Sequence, residues 1–158
     1  MKYFKRFGLL VVMLFMILFV TGCKNKEHVE GSLEDIMAKI YKDIPEDNLP
    51  MMLENKKVTD ENVEYYLGKK GIEYKEALAS ESGVGSIAYS VVLVRTKENA
   101  NIEEIKKQIK DNVNPRKWIC VEVPKDEIIV ENKGDLIILV MVEDKDNRDA
   151  IMKGFNSL

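Results

Sequence analysis

Hydrophobic and polar positions divide the chain into unlike parts. Phe7 to Val20 is an apolar run broken only by Gly8, and residues 24–31, "KNKEHVEG", are polar without any periodicity. From Ser32 the spacing turns helical, with Leu33, Ile36, Met37, Ile40 and Ile44 recurring on one face until Pro45 ends the pattern. Ser32 followed by Asp35 is a loose capping arrangement. The stretch from Pro45 to Lys57 reads as irregular, and a short helix is expected over Asp60–Leu67, capped by Thr59 and closed by Gly68.

Strand patterns follow. Residues 72–80 alternate, "SESGVGS" breaks the run, and "IAYSVVLVRT" is apolar on both faces, as a central covered strand would be. Asn101 with Glu104 opens another helix carrying Ile102, Ile105 and Ile109. Three short runs, "WICVEV", "IIVE" and "LIILVMV", are separated by turn residues and predict an antiparallel meander. Ala150, Ile151, Phe155 and Leu158 then mark a last helix. The expectation is a single α+β domain over 32–158, with an antiparallel sheet of about five strands (a hairpin plus a meander) packed with helices. A ferredoxin-like arrangement is the alternative.

The apolar run at the front changes the picture of where this domain works. Lys2, Lys5 and Arg6 precede it, and Val20-Thr21-Gly22-Cys23 follows it. A positive head, about 7–15 apolar residues and a small-residue cleavage zone describe an export signal. A membrane-spanning helix needs about 20 apolar residues, which this run does not reach. "VTGC" resembles the lipobox of bacterial lipoproteins. The resemblance implies cleavage after residue 22 and a diacylglyceryl group on the Cys23 thiol, with residues 23–31 as lipidated cysteine and polar tether. The expected location is the extracytoplasmic face of the cell membrane.

Charge and cysteine count are then read on the cleaved chain. Residues 1–22 hold three basic and no acidic side chains, so their loss takes the formal net charge from −3 to −6. Such an acidic body is expected not to be drawn electrostatically to nucleic acid or to anionic lipid headgroups, leaving the lipid to hold it to the bilayer. With Cys23 acylated, Cys120 has no disulfide partner, and a regular strand over 118–123 makes it a small buried side chain.

Catalytic patterns are lacking. The one histidine, His28, lies in the expected tether, which rules out a Cys–His pair inside the domain. "SGVGS" is neither a nucleophile elbow nor a phosphate loop. "EDKDNRD" has the acid density of a calcium loop but lacks its glycine and its closing glutamate, and reads instead as the acidic start of the last helix. No cofactor or metal is expected. The distinctive cluster is "NPRKW": Arg116, Lys117 and Trp118 suit a binding patch, with a packed turn as the plainer reading.

The leader together with "SLEDIMAKIY", "YKEALAS", "IAYSVVLVR" and "NPRKWICVEV" resembles an uncharacterised family of small lipoproteins of Gram-positive type, a domain of unknown function. That resemblance implies a lipid-anchored extracytoplasmic domain and supplies no activity. The function expected is non-enzymatic binding or support of an envelope protein. The alternatives are a small-ligand sensor, which requires Gly83–Ser86 to meet Arg116–Trp118, and a hydrolase built from distant carboxylates.

Overall fold

The computed structural model describes residues 28–158. Val20, Thr21, Gly22 and Cys23, and with them the leader and the expected lipidation, lie outside the described residues. The domain is α+β. Its strands are β1 (Leu53–Lys57), β2 (Tyr74–Ser82), β3 (Tyr89–Thr96), β4 (Ile129–Lys133) and β5 (Leu136–Val142). They form one sheet in the order β1-β2-β3-β5-β4, and every pairing is antiparallel. The helices are α1 (Leu33–Tyr41), α2 (Val63–Leu67), α3 (Ile102–Asn112) and α4 (Lys145–Asn156).

Alternation along the strands fills two cores at once. Ala77, Val92, Val94, Ile137 and Leu139 pack under α2 and α3 with Ile105, Ile109 and Trp118. Their sequence neighbours Leu78, Val91, Leu93, Ile138 and Val140 pack under α1 and α4 with Ile36, Ile40, Ile151 and Phe155. Both faces being covered, β3 and β5 are buried at every position, which is why their sequences are apolar throughout. The strand order departs from the ferredoxin-like alternative, whose split βαβ units leave another strand between the two that each helix joins: β1 and β2 are direct antiparallel neighbours.

The helix boundaries follow their caps. Ser32 Oγ accepts from the Asp35 amide, Asn101 Oδ1 from Glu104, and Asp144 Oδ1 from Asn147. Two glycines allow close approaches that a side chain would block. Gly68 closes α2 at φ +86°, where a Cβ would fall 2.2 Å from the Asn112 carbonyl carbon. Gly154 lets α4 cross α1 at Ile40, whose carbonyl oxygen would stand 2.3 Å from a Cβ.

Two strand expectations need correction. "WICVEV" is not a strand: Cys120 takes φ +62°, and Cys120 and Ile119 are exposed rather than alternating with buried neighbours. Both sides of β5 are already taken by β3 and β4, and the 114–123 segment is held instead by scattered bonds such as Val123 N–H to Pro115 O, 3.0 Å. The fifth strand is β1, "LENKK", in the stretch expected to be irregular. It is an outer strand with four of its five residues exposed, so no hydrophobic alternation announces it. Charged side chains on such an edge discourage further strand pairing.

The span expected as a free tether also ends sooner. Val29 is buried, and the carbonyls of Val29 and Gly31 accept from Arg95 Nη1 and Nη2 at 2.7 and 2.8 Å. Asp135, in the β4–β5 turn, accepts from the Val29 amide at 3.1 Å and bonds His28 Nδ1 at 2.7 Å. Arg95 is itself 3% exposed and paired with Glu76. Residues 28–31 are thus pinned to the Arg95 end of the sheet, and His28 is a docking residue rather than a spacer.

Candidate functional site

The opposite end of the sheet, where β2 ends and β3 begins, gathers the exposed apolar side chains. Met51, Met52, Tyr65 and Ile119, between 46% and 70% exposed, are the large hydrophobics left in solvent among the described residues. Met51, Met52 and Ile119 lie beside residues 82–85, and the Tyr65 hydroxyl reaches Glu81 Oε1, just before the turn, at 3.3 Å. Gly83 N–H donates to Met52 O at 2.8 Å, Ser82 Oγ to Met51 O at 2.9 Å, and Ile119 N–H to Gly85 O at 2.7 Å. A Cβ on Gly85 would lie 3.1 Å from Ile119 Cδ1, and one on Gly83 3.4 Å from Met52 Cβ, so the glycines let both side chains close over the turn. Met51 and Met52 lie in solvent, although methionine more often fills gaps in a core.

Beneath this rim lies a buried ion pair. Lys117 Nζ sits 2.7 Å from Glu81 Oε1, with side chains 3% and 7% exposed, and donates to Ser90 Oγ at 3.0 Å. The ammonium also faces the rings of Tyr65, Tyr66 and Trp118 at 4.4, 5.1 and 5.1 Å from their centroids. Alternation explains the site: Glu81 and Ser90 are the β2 and β3 residues pointing to the α2–α3 side, directly opposite each other in the register. Burial pushes the Lys117 pKa down, and the Glu81 carboxylate opposes that shift. Burial, then the negative charge of Glu81, pushes the Tyr65 hydroxyl up to about 12.

The expected patch Arg116–Lys117–Trp118 is therefore divided. Arg116 is exposed and paired with Glu122, whereas Lys117 and Trp118 point inward. The Trp118 Nε1 hydrogen is buried without a hydrogen-bond partner. The approach of Gly83–Ser86 to Arg116–Trp118 that the small-ligand alternative requires is made next to the second segment, where Ile119 N–H donates to Gly85 O. Glu81, read from the sequence as part of the "SESGVGS" break, gave no sign of pairing with a lysine 36 residues on.

Around the corner of the same end is a cleft of about 470 Å³ lined by Asn48, Pro50, Tyr89, Glu143, Asp144 and Lys145 among others. Two adjacent carboxylates lie in it, but the Asp144 side chain caps α4, and Asp149, further along the acidic run, pairs with Lys145. No protein-family model matches the chain, and neither a curated protein nor a solved structure does so.

Proposed function

We propose that this chain is a lipoprotein, anchored through a diacylglyceryl group on Cys23 to the extracytoplasmic face of the cell membrane. Its domain binds an envelope protein through the Met51–Met52–Tyr65–Ile119 rim, without catalysis. One observation carries the reading: the exposed apolar groups gather at the end of the sheet opposite the one that holds His28–Gly31. Four residues separate Cys23 from His28, a reach of at most about 18 Å. The eight residues of β3 add about 24 Å between the two ends. The anchored end thus faces the bilayer and the rim faces away from it. Contiguous exposed apolar surface of this kind marks interaction sites, and methionine side chains adapt to a partner's shape.

The test is a photo-crosslinking residue placed at Met52 or Ile119 in intact cells, with Glu30 as the control position. A recurrent protein adduct from the rim, lost in Ile119→Ser, is the expected result. Identical adducts from rim and control positions would overturn the rim as the binding surface. Mass spectrometry finding an unmodified residue 23 in the native product would overturn the anchor. A hydrolase built on Glu143 is the competing reading. It predicts that Glu143→Gln abolishes a measurable hydrolysis while leaving the rim adduct intact.

A further inference from the structure

Near the pinned segment, on the α1–α4 side, a second cleft of about 370 Å³ is lined by Lys39, Lys42 and Lys133 together with His28, Val29, Glu30, Ser157 and Leu158. Three lysines converge here from distant parts of the chain: two from α1 and the residue following it, and one from the end of β4. Lys133 Nζ donates to the Asn156 carbonyl at 3.2 Å and also contacts Leu158 O, which fixes it on the cleft wall. Lys39 and Lys42 are exposed and make no ion pair among the described residues. Glu30 is the opposing charge among the side chains that line the cleft.

We infer that this cleft takes the phosphate of an anionic lipid headgroup from the leaflet that holds the anchor. The inference rests on the anchoring proposed above. The chain enters the cleft at His28, no more than about 18 Å from the acylated residue. A bilayer surface is therefore the phosphate-bearing partner that the cleft meets at the highest local concentration. The body's net charge of −6 after cleavage is repelled by an anionic surface, so a basic cleft at the anchored end has a second effect. It turns that end toward the headgroups and the opposite rim away from them. Each lysine close to an anionic leaflet gains about fivefold in occupancy, and the gain fades within a Debye length.

The experiment reconstitutes the mature lipidated chain in vesicles of phosphatidylcholine alone or with 30 mole per cent phosphatidylglycerol (about one lipid in three). Amine-reactive labelling is then read lysine by lysine by mass spectrometry. The expected result is labelling of Lys39, Lys42 and Lys133 slowed about fivefold or more on the anionic vesicles, with Lys145 at the far end unchanged. Lys39→Glu combined with Lys42→Glu should remove the slowing at Lys133. Equal labelling on both vesicles overturns the inference while leaving the anchor intact, since flotation with neutral vesicles reports the anchor separately. Equal protection by millimolar inorganic phosphate on neutral vesicles overturns the lipid as the source. Failure to float on any vesicle overturns both proposals.

Discussion

Replacing Glu81 by Gln leaves the Lys117 ammonium in place, 3% exposed, without its carboxylate. Breaking a buried pair from one side costs about 3–5 kcal/mol. The lower end applies here, because the Gln carbonyl keeps an acceptor beside Lys117, and Ser90 and three rings remain. There is also a ceiling. Lysine can shed its proton, which at pH 7 costs about 4.6 kcal/mol from an ordinary pKa near 10.4. A loss of about 3 kcal/mol lowers the midpoint of thermal unfolding by roughly 10–15 °C for a domain of this size. The sign with pH follows from linkage. In Glu81→Gln the folded lysine has a pKa below its unfolded value, so between those values the unfolded chain binds more protons. Stability relative to the parent therefore recovers as pH rises toward 10. Calorimetry at several pH values reads all of this. In Glu81→Gln/Lys117→Met no unpaired charge is left, and stability should return to within about 1 kcal/mol of the parent. A single variant as stable as the parent, or a double variant no better than the single one, would refute the account of the pair.

The remaining predictions concern packing, docking and the thiol. Gly154→Ala drives a Cβ into the Ile40 carbonyl and should cost about 1–3 kcal/mol in a denaturant titration; a neutral result would mean that α1 and α4 separate freely. Burial by itself would raise the Asp135 carboxyl, but the hydrogen bonds from His28 and the Val29 amide, with the charges of His28 and Arg95, bring it below its ordinary 3.8. A depressed carboxylate contributes stability above its unfolded pKa and loses it as pH falls through the folded one. The Val29 amide signal in NMR should therefore hold its docked position down to about pH 4 and shift only below it; release between pH 5 and 4 would contradict the hydrogen bonding described. Cys120 is exposed and should react with a maleimide in the native protein, giving one label per mature chain when Cys23 carries lipid. Two labels would count against acylation.

What could be read from the sequence, and what could not, has a physical pattern. Elements that bury a face were legible: α1, α3 and α4 through their apolar spacing and caps, and β3 and β5 through unbroken runs covered on both sides. Residues 118–123 have strand-like composition, but tertiary bonds to Gly85 and Glu81 override it and leave Cys120 in the left-handed region. The sequence singled out "NPRKW" and the 83–86 turn but not the exposed Tyr65 and Ile119 beside them. It could not pair Lys117 with Glu81, because that partnership depends on which strand lies beside which. Docking of His28–Gly31 on Arg95 was equally out of reach, being made largely through backbone carbonyls that carry no residue identity.

The outer strand "LENKK" keeps its place through main-chain bonds to β2 while four of its five side chains project into water. Drift could exchange nearly every letter of that segment and leave the architecture untouched, provided no proline removed an amide donor. Chains that share this pairing could then differ in letters all along it, and an alignment guided by hydrophobic identity would place its gaps there.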